Sequence, residues 1–244
     1  MSVRVRIPFF LVSGAGLAAL LGWGVAGLPA FGDYHGVYGL VLNRVALGER
    51  HTTNVVAAVV FDYRGFDTLG EEFILFASVI GVALLLREPR EAATPTPADP
   101  VVGNPVRAGG IALVGAVLLL GLYVVAHGYI SPGGGFQGGV VLAAAFLLVW
   151  LAGSFGAYKR LTPTRAIDVV EGVGAGSYVV IGLVALLLGH AFLHNLLPNG
   201  LSGKLSSGGS IPLLNWASGL EVAAAFVLLF TTFLDERALV LSRR

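Results

Sequence analysis

Five ionisable side chains lie in a short stretch between two apolar segments: Asp62, Arg64, Asp67, Glu71 and Glu72. Asp67 and Glu71 stand four residues apart, so on a helix they share one face. Two like charges at that spacing in a partly dehydrated site favour protonation of one carboxyl, which suits a group that takes up and releases a proton or Na+. Asp62 and Arg64 would neutralise part of the cluster. The alternative is a salt-bridged helix cap at the membrane surface, because acidic side chains stabilise a helix start.

A further acidic candidate is Glu221, the only ionisable side chain in the last apolar stretch, residues 211–234. A charge inside a bilayer is costly unless it is paired or hydrated, so an intramembrane carboxyl is by default a functional candidate. The alternative is a protonated carboxyl hydrogen-bonded to a neighbouring helix. Asp168 and Glu171 lie at the start of another apolar stretch, where we expect them to cap a helix or to compensate its dipole.

The acidic cluster needs a helix that carries it to the membrane. Residues 73–86 are apolar but measure only about 21 Å as a helix, against a hydrocarbon core of about 30 Å. The helix must therefore extend toward its N-terminus and draw residues 68–72 into or near the bilayer. One continuous helix over residues 52–86 would measure about 52 Å, which is too long for a single crossing. We therefore predict a half-helix, a break at Gly65 and a second helix.

A glycine-rich motif, HGYISPGGGFQGG at residues 127–139, joins two other apolar stretches. Proline cannot continue a helix and glycine adopts backbone angles that other residues avoid, so the motif ends one helix and begins the next. Its last two glycines leave room for a close neighbouring helix. A loop of this kind is, by itself, most often a tight turn. The candidate structural residues are Pro132, Gly133, Gly134, Gly135, Phe136, Gln137, Gly138 and Gly139.

His127 directly precedes this loop. An imidazole there suits a proton relay at an exit from the membrane, although an interfacial histidine hydrogen-bonded to loop carbonyls is the commoner case. His190 and His194 lie on another segment, and three histidines on two segments do not define a metal site. Gly172 and Gly176 have the spacing of a small-xxx-small contact between helices.

The elements that position these residues form an all-α, polytopic transmembrane protein with about six crossings and one broken or re-entrant helix. Apolar stretches long enough to span the bilayer lie at residues 7–28, 108–126, 136–158, 172–189 and 211–234, and the helix after the break is the remaining crossing. With a cytoplasmic N-terminus, eleven Lys and Arg residues fall on the inner side and four on the outer side. This bias predicts that both termini are cytoplasmic and that the glycine loop faces outward.

Composition supports a membrane protein, because 56% of the 244 residues are hydrophobic and only 12% are charged. A net charge of +1 gives no indication of a nucleic-acid partner. The chain contains no cysteine, so it cannot bind an iron–sulfur cluster through thiolates, and any redox chemistry would belong to other subunits. We expect no cofactor and no metal site. No set of nucleophile, base and orienting group has a spacing suited to a self-contained enzyme.

The segment PGGGFQGG at residues 132–139 resembles the signature of the B-type subunit (MrpB or MnhB) of the multisubunit Na+/H+ antiporters and of the equivalent subunit of membrane-bound hydrogenases. The segment GGSIPLLN at residues 208–215 resembles the start of the last helix of those subunits. The similarity covers roughly residues 107–237. The triplet GLE at residues 219–221 is closer to the hydrogenase-type relatives, since the resemblance implies no carboxylate there in the sodium antiporters.

Residues 54–86 resemble the C-terminal part of the large A-type antiporter subunit (MrpA or MnhA), and the small separate subunit that replaces it in membrane-bound hydrogenases. The sequence FDYRGFDTLGE at residues 61–71 carries this resemblance. It implies that Glu71 stands where those proteins keep an acidic residue tied to ion translocation. Glu72 then reads as an ordinary variant.

The two resemblances together predict a fusion of two adjacent subunits: residues 1–87 as a two-helix region, 88–106 as a proline-rich cytoplasmic linker and 107–244 as a four-helix MnhB-like domain. The implied function is that of a membrane subunit of a cation/proton antiporter complex in the plasma membrane of a prokaryote. Its implied partners are large antiporter-like subunits, small helical subunits, Na+ or H+, and the lipid bilayer. The alternatives are a membrane-arm subunit of an energy-converting oxidoreductase, such as a membrane-bound hydrogenase, and a subunit with a structural role only.

Overall fold

The computed structural model describes residues 3–32, 36–86, 97, 99–100 and 102–242. In this part of the chain there are nine α-helices, one π-helical segment and no strand, which confirms the predicted all-α class. Six of the helices are long and apolar enough to cross a membrane. Contacts divide the chain into two compact units, residues 1–41 and residues 42–244.

The first unit contains helix α1 (Val3–Ala26), which includes the first predicted crossing. Its part from Ile7 to Ala26 is predominantly apolar and its side chains are exposed, as expected for a helix that faces lipid or another subunit. Helix α2 (Val37–Arg50) begins in this unit and ends in the second, where Leu42 and Ala46 are buried.

The broken helix opens the second unit, as the sequence predicts. Helix α3 (Val55–Ala58) runs into a π-helical segment (Val59–Tyr63), and helix α4 (Gly65–Leu85) follows after a single turn residue. The side chain of Asn54 caps α3, since its Oδ1 accepts hydrogen bonds from the backbone N–H groups of the second and third helical residues. π-Helical turns within helices are often found at functional sites.

The remaining helices form the larger part of the second unit. They are α5 (Asn104–Ala126), α6 (Gly135–Ala152), α7 (Phe155–Leu161), α8 (Thr164–Leu187) and α9 (Ile211–Ser242). Helix α6 packs against both α5 and α9, while α8 and α4 also contact α9. Helix α9 is therefore the central element, and half of its most apolar window is buried inside the protein.

One predicted crossing, residues 136–158, is wrong in its extent. Helix α6 ends at Ala152, and the separate short helix α7 begins at Phe155. Gly153 adopts a non-helical conformation, and the Ser154 hydroxyl accepts a hydrogen bond from the Ala157 N–H at the start of α7. A glycine followed by a serine cap thus ends one helix and starts another within a run that is apolar enough to continue.

The predicted linker, residues 88–106, lies mostly outside the described residues, as do its Arg90 and the adjacent Arg87. Helix α5 begins at Asn104, inside the predicted linker. In the described part, the Asp99 carboxylate accepts a hydrogen bond of 2.7 Å from the N–H of Phe155, the first residue of α7.

Candidate functional site

Two neighbouring acidic residues of α4 have opposite surroundings. Glu72 is 1% exposed, and its carboxyl oxygens have no hydrogen-bond partner among the described residues apart from Glu221 and Ser218 of α9. Glu71 is exposed and lines a cavity. Consecutive residues of an α-helix point about 100° apart, so one of two adjacent carboxyls turns inward while the other stays outside. The residue that the sequence interpretation treated as an ordinary variant is the one that the fold encloses.

Glu221 of α9 faces Glu72. It is 0% exposed, and the two carboxyl groups interact across the contact between α4 and α9. Apart from each other and Ser218, they have no hydrogen-bond partner in the described part of the chain. The buried hydroxyl of Ser218, one turn earlier on α9, lies beside Glu72. Two ionised carboxylates would repel each other strongly in a medium of low dielectric constant. The pair therefore holds at least one proton or a bound cation.

Two glycines from different helices bring the backbone of α9 into place at Glu221. A Cβ atom on Gly174 of α8 would lie 2.5 Å from the Glu221 backbone N, and one on Gly139 of α6 would lie 2.7 Å from Cβ of Val222. Only glycine allows these approaches. The last glycine of the glycine motif is therefore a packing element that fixes the helix carrying Glu221.

A third buried carboxyl, Glu171 of α8, lies one turn before Gly174, the residue that contacts the Glu221 backbone. It is 5% exposed, its Oε1 has no hydrogen-bond partner within the described ranges, and it interacts electrostatically with Glu221. Helix α8 begins at Thr164 and has no acidic residue in its first turn. The expectation that Glu171 caps or compensates this helix is therefore wrong, because Glu171 lies about two turns inside it.

The broken helix is held by two hydroxyl groups on the same side as the acids. The Tyr178 hydroxyl of α8 donates a hydrogen bond of 3.0 Å to the Gly65 carbonyl at the start of α4. The Thr68 hydroxyl donates one of 2.6 Å to the Val60 carbonyl of the π-helical segment. The second bond supplies a partner for a carbonyl near the C-terminal end of the π-helical segment, where carbonyls lose their intrahelical partners. The first bond joins α8 to the start of α4.

Two neighbouring cavities lie between the broken helix and the glycine loop. The inner one, of about 170 Å³, is lined by Thr68, Glu71 and Gln137 among others. The outer one, of about 410 Å³, is lined by the N-terminal part of the broken helix and by the loop. Both share Val56, Gly133 and Gln137 as wall residues. Glu71 therefore lines the inner of two cavities that meet at these shared residues.

The other charged candidates of the cluster are paired outside this interior. Asp62 forms an ion pair of 2.8 Å with Arg50, and Arg64 forms one with Asp67, which lies in the first turn of α4. The ion pair of Arg64 and Asp67 is a salt-bridged helix start, the alternative interpretation of this sequence. Asp67 and Glu71 are both exposed, on a different face of α4 from the buried Glu72.

Asn195, in the segment between α8 and α9, ties that segment to the end of the π-helical turn. Its amide donates hydrogen bonds of 2.9 Å to Asp62 and 3.1 Å to the Gly208 carbonyl, while its Oδ1 accepts from the N–H and hydroxyl of Ser210. Nearby, burial and a hydrogen bond to Glu49 raise the pKa of the Tyr63 hydroxyl to about 12, so Tyr63 remains a donor at physiological pH.

The histidine candidates do not join the acids. The His127 ring stacks on Tyr123, with ring centroids 4.2 Å apart, and its Nδ1 is buried without a partner in the described residues. His190 and His194 stack on each other. Across the described ranges, no three His, Cys, Asp or Glu side chains converge in a way that could hold a metal ion.

Two asparagines hold the glycine loop. Asn215 of α9 accepts a hydrogen bond of 2.6 Å from the Gly135 N–H and donates one of 2.5 Å to the Val125 carbonyl, so it links the end of α5 to the start of α6. The Asn54 amide donates to the carbonyls of Gly128 and Ser131. Gly133 and Gly134 have φ angles of 150° and 155°, which only glycine adopts readily. The loop is thus a packed turn that also forms the cavity wall.

The predicted contact through Gly172 and Gly176 is wrong within this chain. A Cβ atom on either residue would have no atom of the described chain within 4 Å, whereas Gly174 between them contacts α9 directly. Helix α8 therefore presents Gly174, together with Glu171 and Tyr178, to the interior. The three- and four-residue spacing of these residues is a signal that sequence reasoning missed.

Six apolar helices, a broken helix and acidic side chains enclosed between helices define a multi-pass membrane subunit of the ion-transport class. Residues 106–228 match the family model described as "Domain related to MnhB subunit of Na+/H+ antiporter", and residues 6–100 match the MbhE model, which describes an MBH subunit. The chain belongs to the MnhB-related family, as its resemblance predicted.

Relatives support this assignment. An uncharacterised protein of Methanocaldococcus jannaschii is 34% identical over 206 residues, which cover 75% of this chain and 78% of that protein. A Rhizobium meliloti protein, described as a probable A/B subunit of a K(+)/H(+) antiporter, is 33% identical over 123 residues. That match covers 41% of this chain but only 12% of the longer Rhizobium protein.

Two solved membrane complexes contain a similar chain. One chain of the membrane-bound sulfane sulfur reductase, an archaeal respiratory membrane complex, is 31% identical with a TM-score of 0.71, over 94% of this chain and 98% of that one. A chain of the Mrp complex from a Dietzia species has a TM-score of 0.67 at 23% identity, over 95% of this chain and 26% of that one, and shows the shared fold.

Proposed function

We propose that this protein is a membrane subunit of a multisubunit cation/proton antiporter complex and contributes to the translocation of Na+ and H+ as well as to assembly. The observation that carries the proposal is the buried pair of Glu72 and Glu221, whose carboxyl oxygens have no hydrogen-bond partner among the described residues apart from each other and Ser218. A carboxyl pair that must hold a proton or a cation is costly in a membrane protein unless it has a function.

In the proposed mechanism an ion enters through the two cavities beside the glycine loop and reaches Glu71 at the broken helix. The pair of Glu72 and Glu221 changes its protonation as ions exchange, and the break before Gly65 lets α4 respond to that change. Neighbouring subunits sense the movement of α4. The MnhB-like half then supplies the scaffold and the outer vestibule.

The proposed partners, location and orientation rest on the family and on the topology predicted from the sequence. The partners are large antiporter-like subunits and small helical subunits, and the chain itself has no catalytic centre, cofactor or nucleic-acid partner. We place it in the plasma membrane of a prokaryote, with both termini cytoplasmic and the glycine loop outside. Residues 1–87 and 107–244 correspond to two fused subunits.

The proposal is tested by Na+-dependent proton flux in inverted vesicles that contain the whole complex, repeated with K+. Glu72→Gln, Glu221→Gln and Glu71→Gln should each lower the flux by at least about tenfold at equal assembly, as expected for removing a proton-transfer group. Asp168→Asn, which removes an exposed carboxyl near the start of α8, is the matched control. Unchanged flux in all three variants would leave the chain with a structural role only.

An energy-converting oxidoreductase is the second candidate, because the similarity to the sulfane sulfur reductase chain covers nearly the full length of both chains. In such a complex the same acids would be driven by redox chemistry in other subunits, since this chain has no cysteine. Purification of the native complex separates the two: iron–sulfur subunits that copurify favour the oxidoreductase, and their absence favours an antiporter that works alone.

A further inference from the structure

We propose that Glu171, Glu221 and Glu72 form a row of carboxyls that conducts protons through this chain, between the N-terminal end of α8 and the broken helix. This inference rests on the proposed function and deepens it, because it assigns a route to one of the two ions. Glu171 is the new element, since nothing in the sequence resemblance implies a role for it.

One face of α8 places Glu171 beside α9, and Glu221 is the middle member of the row because it interacts with both Glu72 and Glu171. Glu171, Gly174 and Tyr178 follow each other at spacings of three and four residues and so share that face. Gly174 touches the Glu221 backbone and Tyr178 binds the Gly65 carbonyl. Glu171 therefore lies about 4.5 Å along the helix axis from the level of Glu221, toward the start of α8. Tyr178 lies about 6 Å in the opposite direction, at the broken helix.

The surroundings of Glu171 point to a function rather than to a structural ion pair. The side chain is 5% exposed, and the charged groups near it are the other acids, Glu221 in the interior and Asp168 at the surface. It lies about 10 Å from the first residue of α8, which is inside the membrane for a helix of spanning length. A carboxyl at that depth beside a second carboxyl is costly unless protons reach it.

The carboxyls follow one another and do not form a coordination site for a metal ion. In the described part of the chain no three acidic or imidazole groups converge on one point, whereas a hard cation takes several oxygen ligands at once. A proton needs only one acceptor at a time and short gaps that hydroxyls or water can bridge. Carboxyls that follow one another in this way suit proton transfer, so we assign the row to protons.

Hydroxyl groups continue the row at its upper end. Ser218 lies beside Glu72, and Thr68 stands one turn before Glu72 on the same face of α4. Thr68 also lines the inner cavity together with Glu71. Tyr178 and Glu71 are the further titratable groups near Glu72 from α8 and α4. The row thus leads from the start of α8 to the cavity beside the glycine loop.

Each step moves one proton and conserves charge. Glu72 first releases its carboxyl proton toward the cavity that Thr68 and Glu71 line. A protonated Glu221 then donates its proton to the ionised Glu72, and a protonated Glu171 donates its proton to the ionised Glu221. Glu171 is left as a carboxylate, which takes up a proton from water at the start of α8. One negative charge moves along the row in the opposite direction, so at no stage do two neighbouring carboxylates need to be ionised together.

The test uses the complete complex in vesicles and the cation that drives proton flux in the wild type. It compares the exchange of this cation for protons with the exchange of this cation for itself. Glu171→Gln should lower cation-dependent proton flux by at least about tenfold, as expected for loss of a proton-transfer group. Exchange of radioactive cation against unlabelled cation needs no proton and should stay within about twofold of wild type. Glu236→Gln, which removes a carboxyl about four turns beyond Glu221 on α9 and outside the row, should leave both reactions within the same range.

Two further variants distinguish a loss of proton transfer from a loss of folding. Glu171→Met replaces the buried carboxyl with an apolar side chain of similar volume, which a protein interior tolerates well, and should show the same separation of the two reactions. Glu171→Asp keeps the carboxyl and should retain an intermediate proton flux. A merely structural role would make the Asp and Met variants change both reactions together.

Three outcomes would overturn this inference. If both Glu171→Gln and Glu171→Met keep full proton flux while Glu72→Gln and Glu221→Gln abolish it, the row ends at Glu221 and the proposed function stands. If the Glu171 variants lose proton flux and cation exchange equally at normal assembly, Glu171 belongs to the cation route. Full flux in the variants of all three acids would refute the proposed function as well.

Discussion

Glu72 and Glu221 face each other across the contact between α4 and α9, in the part of the structure where helices from both predicted halves of the chain meet. Each is almost fully buried, and their carboxyl oxygens have no hydrogen-bond partner among the described residues apart from each other and Ser218. Because two isolated carboxylates cannot stably occupy such a site, the two side chains must act as one unit that holds a proton or a cation.

The first prediction concerns this unit. The double variant Glu72→Gln/Glu221→Gln should have the same residual flux as the more impaired single variant, because residues that act together give non-additive losses. Cation-dependent proton flux at matched assembly provides the measurement. If the two losses multiplied instead, the carboxyls would work on separate routes.

The second prediction concerns the close approach of α8 to α9. Gly174→Ala should destabilise the protein by about 1–3 kcal/mol, because the added methyl group would overlap the Glu221 backbone. Gly172→Ala, on the open side of the same helix, should change stability by no more than about 1 kcal/mol. Thermal unfolding of the purified complex compares the two. Equal melting temperatures for both variants would contradict the packing described here.

The third prediction concerns the cavity beside the glycine loop. Because the chain has no cysteine, Gln137→Cys introduces a single thiol. A membrane-impermeant maleimide should label it from the outer side, whereas Ala143→Cys on the same helix is buried and should remain unlabelled. Labelling that occurs only in inverted vesicles would reverse the proposed orientation, and no labelling from either side would mean that another subunit covers the cavity.

The fourth prediction concerns Asn195, which holds the segment before α9 to Asp62 at the end of the π-helical turn. Asn195→Ala leaves several polar groups without partners, each at a cost of about 1–3 kcal/mol when buried. Asn195→Asp should be worse, since it sets a carboxylate against Asp62. Asn199→Ala removes the side-chain hydrogen bond to the Glu49 carbonyl and should cost about 1 kcal/mol.

Melting temperature and flux of the assembled complex distinguish these three variants. Wild-type stability in Asn195→Asp would show that the segment between α8 and α9 does not depend on this link. Loss of flux without loss of stability would instead connect the link to transport through the broken helix.

Much of the architecture was accessible from local sequence. Apolar length predicted the crossings, and the shortfall of residues 73–86 against the bilayer thickness predicted a helix extended toward its N-terminus. The break was predicted at Gly65, whereas the structure has it at Arg64 and α4 begins at Gly65. The order of proline and glycine predicted the turn between α5 and α6. These features depend on backbone chemistry and on length, which neighbouring residues determine. The extent of α6 was missed because a glycine and a serine cap can interrupt an apolar run without changing its composition.

The candidate site was only partly accessible. Glu221 stood out because it is alone in an apolar stretch, and the family resemblance drew attention to Glu71. That Glu72 rather than Glu71 faces Glu221 depends on how α4 is rotated about its axis, and the Tyr178 hydroxyl bonded to Gly65 helps to fix that rotation. Glu171 resembled a helix cap until the start of α8 was known.

The sequence by itself determined that this is a membrane protein with six apolar helices, a break before α4 and a glycine-rich turn, because composition, segment length, proline and glycine act locally. Tertiary structure alone decided which acids meet. The meeting of Glu72, Glu171 and Glu221 requires three helices from distant parts of the chain to pack at glycine-sized distances. The burial of a charge depends on the neighbouring helices that enclose it, and local sequence does not specify them.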